Sequence, residues 1–272
     1  MDDRAIDGVR DYFEYSAMGT INFFASESAA KRYAKGRPYF HPIVIERIKE
    51  RLALTLPVQR ALDVGCGTGL STMALKEIAA RVVGIDSSAE MIGLARADSN
   101  IEYQLANAEH LPFKECEFDL VTVSQAIHWL AKARFLQEAR RVLRTEGWLI
   151  VYDNYFAGSD NHTFNVWRQE SYLTRYPRPW RESPNFAALE IEKEGFQLIG
   201  DEVLRNTISF SLEGLIDFFA SQSNIIAAVE GGDETIAEAR AWLKENLERF
   251  FETSSAHDFV FSAPIWCLRR SD

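Results

Sequence analysis

Cysteine is scarce in this chain: Cys66, Cys116 and Cys267 are the three among 272 residues, an odd number without Cys-x-x-Cys spacing. That excludes a disulfide framework and a cysteine-built zinc site, and it fits a reducing cytoplasm. A basic balance is missing too, because 30 Lys and Arg face 40 Asp and Glu for a net charge of −10. Nucleic-acid backbones recruit basic faces, so no nucleic-acid partner is expected. No apolar run approaches a membrane span, and the opening MDDRAIDG has no basic segment leading into an apolar one. Neither a membrane partner nor secretion is expected, and no metal site is. What is there, 47% hydrophobic and 26% charged residues, describes one globular core with or without a cap, large enough to enclose a small molecule.

Glycine is thinly spread except between residues 61 and 69, which read ALDVGCGTG. An apolar run entering three alternating glycines predicts a buried parallel strand, a tight turn and a helix, with Leu70, Met73, Ala74 and Ile78 packing back on the sheet. Glycine serves there because the backbone needs positive φ and a ligand must approach the main chain. The even spacing of Gly65, Gly67 and Gly69 puts Leu70 where a dinucleotide turn has its third small residue. Asp63, two residues earlier, repels a pyrophosphate but suits a cationic aminoacyl group. Residues 82–86, VVGID, form a second strand ending in Asp86, an acid able to accept both ribose hydroxyls, with Ser87 and Glu90 as the capping box of a helix continued by Met91, Leu94 and Ala95.

Further strands are expected at 101–106, 118–124, 148–155, 196–210 and 257–268, the last antiparallel to its predecessor. Between them run a helix striped by Phe135, Ala139, Val142 and Leu143 and ended by Gly147, a short helix from Phe186 through Leu189 and Ile191 to near Gly195, and a helical insertion. That insertion carries Leu215, Phe218 and Phe219 on one helix and Ile236, Ala239, Leu243, Leu247 and Phe250 on another. Before the first strand stand the aromatics Tyr12, Phe13, Tyr15, Phe23 and Phe24, and a loop between two helices at residues 33–42, where Gly36 and Pro38 break the first helix and Pro42 opens the second with Val44, Ile48 and Leu52 on its apolar face. Residues 158–184 collect Trp167, Arg168, Tyr172, Arg175, Tyr176, Arg178, Trp180 and Arg181, a basic aromatic cluster in an acidic protein. It reads as a solvated lid face or as a pocket for an anion.

An acid followed by Gly-x-Gly-x-Gly at Asp63 to Gly69 resembles the class I S-adenosylmethionine-dependent methyltransferases. Tyr33 four residues before Arg37 and Pro38, with an aromatic next, is similar to the trans-aconitate methyltransferase-like, type 11 branch. The resemblance implies an α/β, Rossmann-like three-layer sandwich with strand order 3-2-1-4-5-7-6, strand 7 antiparallel, and a helical cap. It implies a core at 58–210 plus 256–272 with a lid insertion at 158–185, an N-terminal cap segment at 1–57 and a cap insertion at 211–255. The cofactor implied is S-adenosyl-L-methionine. Its implied contacts are Tyr33, Arg37, Asp63, Gly65, Cys66, Gly67, Gly69, Asp86, Ser87, Met91, Asn107, Ala108, Glu109, Ser124, Gln125, Ala126 and Trp129. Asn107 stands where the family commonly has an aspartate, and its amide oxygen still accepts from the adenine amino group. His128 is either a general base or a wall of the pocket, and Arg37 either pairs with the cofactor carboxylate or sits in a surface ion pair. No Asn or Asp followed by two prolines and an aromatic occurs after residue 124, which disfavours methylation of DNA bases. The expected activity is methyl transfer to a small molecule, a carboxylate or another oxygen acceptor; the alternatives are a nicotinamide-dependent oxidoreductase and a non-catalytic binding module.

Overall fold

Short apolar runs that end in small or acidic residues become parallel strands, and the amphipathic stretches between them become covering helices, because a strand buried on both faces needs a layer on each side. The computed structural model describes residues 24–179, 186 and 188–271. Five parallel strands, β1 (Val58–Val64), β2 (Ala79–Asp86), β3 (Ile101–Leu105), β4 (Phe118–Ser124) and β5 (Leu143–Tyr152), lie in the order 3-2-1-4-5. Next to β5 runs β8 (His257–Arg270), antiparallel, and beyond it β7 (Phe196–Phe210). A short β6 (Tyr155–Gly158) continues the side of β8 that β5 begins. With β6 set aside, the order is the expected one with its last strand antiparallel.

The helices are α1 (Glu27–Gly36), α2 (His41–Arg51), α3 (Leu70–Leu75), α4 (Ala89–Ile92), α5 (Lys132–Val142), α6 (His162–Trp167), α7 (Leu173–Arg175), α8 (Ala188–Lys193), α9 (Leu212–Ala220), α10 (Ser223–Gly231) and α11 (Ile236–Leu247). One face of the sheet, with Leu62, Val64, Val121 and Val123, packs on Phe135, Ala139 and Val142 of α5. On the other, Ala61, Leu120 and Ile150 meet Val44 and Ile48 of α2 and Leu75 of α3. A third, aromatic core belongs to the cap: Phe164, Trp167, Tyr172, Tyr176, Phe218 and Phe219 with Leu243, Leu247, Phe259 and Phe261.

Local differences from the sequence reading have physical reasons. The buried side of α3 includes Ser71 and Thr72, because both hydroxyls bond Asp63, and Ile78 packs from the turn beyond the helix. Ser88, not Ser87, caps α4: its Oγ accepts from the Met91 N–H at 3.2 Å, and the helix is a single turn that leaves Leu94 outside it. Strand β5 starts at Leu143, so Gly147 lies within the strand and does not end α5. Gly36 is the last residue of α1, where a Cβ would meet the Asp217 carbonyl oxygen at 2.1 Å; the glycine lets α1 cross α9 backbone to side. Phe250 sits in a 3-10 turn after α11, and α10 lies between the two anticipated helices of the insertion. Tyr12, Phe13, Tyr15, Phe23, Trp180, Arg181 and Pro184 lie outside the described residues. Among the described residues, no helix is long and apolar enough to cross a membrane.

Candidate active site

In a doubly wound sheet the ligand crevice opens beyond the carboxyl ends of the strands, where the crossover changes direction. Here β1 and β4 are neighbours at that point, and a cavity of about 990 Å³ lies between their ends and the cap. Its core wall starts at the glycine turn. Gly65, Gly67 and Gly69 have φ of 69°, 54° and 79°, a region that side chains strain to enter. Gly65 and Gly67 face the cavity. Gly69 does not: a Cβ there would lie 2.3 Å from the Tyr103 hydroxyl, so it is glycine for packing against β3 rather than for ligand approach. Cys66 is buried as well, its N–H donating to the Ile85 carbonyl at 2.9 Å, and burial pushes its thiol far up.

Asp63 is a second correction. Its carboxylate is fully buried behind the turn, away from the cavity, where Oδ2 accepts from Ser71 at 2.6 Å and Thr72 at 2.7 Å and Oδ1 accepts from Thr122 at 3.0 Å. Burial pushes its pKa up to about 6 despite those three hydroxyls. It therefore ties β1, α3 and β4 together and shapes the turn from behind. Asp86 does face the cavity. One oxygen accepts from the Gly67 N–H at 2.8 Å and the other from the Ser88 N–H at 2.9 Å, which joins the end of β2 to the glycine turn and leaves lone pairs on both oxygens for a ligand. Burial raises its pKa, against the backbone bonds that lower it.

Around this acid the cavity wall carries Ser87 and Met91 from α4 and its approach, then Asn107, Ala108 and Glu109 after β3. Glu109 is anchored by accepting from the Ala131 N–H at 2.9 Å. After β4 come Ser124, Gln125, Ala126, His128 and Trp129. Gln125 has φ of 54°, unusual outside glycine, with its N–H on the Tyr152 carbonyl at 2.9 Å; backbone held there by its surroundings is a common mark of working sites. Ala126 explains Gly65, since a Cβ on that glycine would come within 2.5 Å of it. From the other side α1 and its end bring Tyr33 and Arg37, the guanidinium lying 4.7 Å over the tyrosine ring. One Arg37 nitrogen reaches the Ser221 carbonyl at 3.2 Å, and its buried Nε has no partner among the described residues.

Several lining residues escaped the sequence reading. Asp153, Asn154 and Tyr155 follow β5 at the ligand edge, and the Tyr155 hydroxyl donates to Asp153 at 2.7 Å. The signal was present, an acid and an amide at a strand's carboxyl end, but a strand drawn to residue 155 hides it. From the cap come Phe156, Phe218, Phe219, Gln222 and Asn224 together with Arg168, Tyr172 and Arg178. Trp167 and Tyr176 of the basic aromatic stretch are core, and Arg175 pairs with Glu234 at 2.9 Å.

Comparison with known proteins agrees with this geometry. Residues 62–151, the glycine turn through β5, match the family described as a methyltransferase domain. The segment that carries the glycine turn and Asp86 is thus a methyltransferase domain, of the kind that uses S-adenosylmethionine. It is similar to a protein of Dictyostelium discoideum named as a methyltransferase, 26% identical over 84% of this chain and 86% of that one. An uncharacterized methyltransferase of Mycobacterium bovis is 37% identical, over 44% of this chain and only about half, 48%, of that protein. Among solved structures, one from Anaeromyxobacter dehalogenans described as a type II methyltransferase superposes with a TM-score of 0.65 at 21% identity, covering 86% of this chain and 97% of that one, which shows the shared fold. The matched segment of this methyltransferase ends at β5, so the cap wall of its cavity lies outside the match.

The residues present fit the cofactor. Glycine backbone without side chains, an acid with free lone pairs, and Arg37, whose buried Nε has no partner among the described residues, line one space and suit a sulfonium nucleoside with a carboxylate tail.

Proposed function

We propose that the enzyme transfers a methyl group from S-adenosylmethionine to an oxygen of a small-molecule acceptor, with a carboxylate as the favoured nucleophile. The single observation that carries this reading is one continuous cavity bounded by the glycine turn and Asp86 on one side and by cap residues on the other, large enough for two ligands end to end. When bound, the cofactor supplies an electrophilic methyl carbon on a positively charged sulfur.

The chain's own residues would then do the following. Asp86 accepts from the ribose hydroxyls, and its hydrogen bonds to Gly67 and Ser88 hold it in place for that. Backbone at Gly65 and Gly67 passes close to the aminoacyl chain, whose carboxylate pairs with Arg37. Met91, Asn107 and Ala108 take the adenine, the first by contact and the others by amide oxygen and backbone N–H. Ser87, Glu109, Ser124, Gln125 and Ala126 complete that wall, while the rings of Tyr33 and Trp129 lie beside the sulfonium. Asp63 acts from behind the turn as a positioning residue. An ionised oxygen acid needs no base, so holding it in line and excluding water provides the rate. His128 stands ready only for a phenol or an amine.

Purified protein incubated with tritiated-methyl cofactor and a panel of small acids, phenols and amines tests the reading. Label is expected in an oxygen acceptor of low molecular mass. Label appearing only in protein or nucleic acid would overturn it.

A further inference from the structure

Charge in this acidic molecule is not spent evenly. Three cap arginines away from the cavity are neutralised: Arg32 by Glu230 at 2.7 Å, Arg175 by Glu234 at 2.9 Å, and Arg240 by Glu213 and Asp217. Arg168 and Arg178 line the cavity, and neither has an ion-pair partner among the described residues. Arg168 is half-buried, fixed by a 3.0 Å bond from its Nη2 to the Phe156 carbonyl and stacked 5.1 Å from the Phe156 ring. Its place in the chain is unusual. Residues Arg168–Tyr172 form a π-helical turn, a wider coil that recurs at functional sites, and both ends of that turn face the cavity.

Burial, and after it the like charge of Arg178, holds the Arg168 guanidinium below its ordinary value. An anion between the two relieves both penalties at once. A further donor stands nearby: Gln222 lines the cavity, and its buried Nε2 has no partner among the described residues. Carboxylates line the cavity too, but Asp86 and Glu109 are held by backbone N–H groups on the core wall, and Asp153 accepts from Tyr155. The same cap surface carries the contacting rings of Phe156, Phe218 and Phe219.

We infer that the methyl acceptor is a small organic monoacid with an apolar body, its carboxylate gripped by Arg168 and Arg178 with Gln222 at hand, one oxygen left free to take the methyl group, and its body seated on Phe156, Phe218 and Phe219. This rests on the proposed methyl transfer and names the acceptor class for it. A compact polyacid is disfavoured, because Phe156, Phe218 and Phe219 beside this pair leave further carboxylates unpaired against rings, the other lining arginines, Arg37 and Arg134, belonging to the end of α1 and to α5.

The test is calorimetric binding of phenylacetate and hexanoate, their amides, and citrate, each with and without S-adenosylhomocysteine. Both acids are expected to bind at least 10-fold more tightly than their amides and than citrate. Arg168→Gln is expected to erase the preference for acid over amide, Arg178→Gln to reduce it, and Arg175→Gln to leave it unchanged. S-adenosylhomocysteine affinity measured on each variant reports that the core wall is intact. Acid and amide binding alike, no binding of either, or citrate binding most tightly would overturn the inference. Failure of S-adenosylhomocysteine to bind the unaltered protein would instead remove the proposed function, and the acid preference measured without it would still be read.

Discussion

The two walls of the cavity are built by different physics. On the core wall the decisive groups are backbone: Gly65 and Gly67 at positive φ, a strained Gln125, and N–H groups of Gly67 and Ser88 that fix a single acid. Neighbours in space are there neighbours in sequence or on adjacent strands. The cap wall is side chains, contributed by β6, the π turn, α9 and α10, held by a cluster of stacked rings in which Phe156 touches Phe164, Phe218, Phe219, Phe259 and Phe261. A backbone wall tolerates little sequence change and leaves a motif, whereas a wall of packed rings can be repacked and leaves none.

The largest expected effect lies just behind the core wall, at the glycine packed on β3. Gly69→Ala meets the Tyr103 hydroxyl at 2.3 Å and a φ of 79°, and should cost about 3 kcal/mol in chemical denaturation. Gly200→Ala, with nothing within 4 Å, is the control and should stay within about 1 kcal/mol. Equal losses would show that the turn is not under the constraint described.

Asp63→Asn sharpens the contrast through pH. The folded carboxyl is raised from 3.8 to about 6, so the native state binds its proton more tightly than the unfolded chain. Its contribution to stability is therefore largest below the unfolded value and falls as pH rises through about 6. Relative to the variant, the unaltered protein should lose roughly 3 kcal/mol between pH 3.8 and 6.5, taking about 1.4 kcal/mol per pKa unit. A stability difference flat across that window would place the charge elsewhere.

Asp86→Ala should weaken S-adenosylhomocysteine binding by about 100-fold, the order expected when a charge-assisted pair of hydrogen bonds is removed. Unchanged affinity would strip Asp86 of the ribose. Arg37→Gln bridges the two walls, since Arg37 also reaches the cap at Ser221, and should cost about 10-fold in the same measurement. His128→Asn should change turnover of an acid acceptor by less than about 5-fold; a larger fall at constant cofactor affinity would make it a base.

How far each wall was legible follows from this difference. Asp86, Gly65 and Gly67 could be read from spacing, because parallel strands fix where the residues after them go. The sheet order came from the resemblance to the family, while the strand periods themselves were legible, and β7 ran over the residues expected, 196–210. Asp63 misled because sequence gives position without direction: at the carboxyl end of β1 its side chain points behind the turn, toward Ser71, Thr72 and Thr122. Gln222 and Asn224 could not be placed, since nothing in residues 211–256 says which helix face covers the crevice. Arg168 and Arg178 stood out within a basic cluster read either as a solvated lid face or as an anion pocket; that these two, ten positions apart, face one space is a result of the π turn and the ring cluster.

Strands β7 and β8 remain in register to their last pair, Phe210 opposite His257, and everything from Ser211 to Ala256 hangs from that closed end. Its two attachment points are thus fixed to neighbouring positions by the ladder itself, whatever sequence lies between. A roof fastened in this way can be exchanged at two fixed ends, provided that its replacement still meets α1, which crosses it at Gly36 and carries Tyr33 and Arg37.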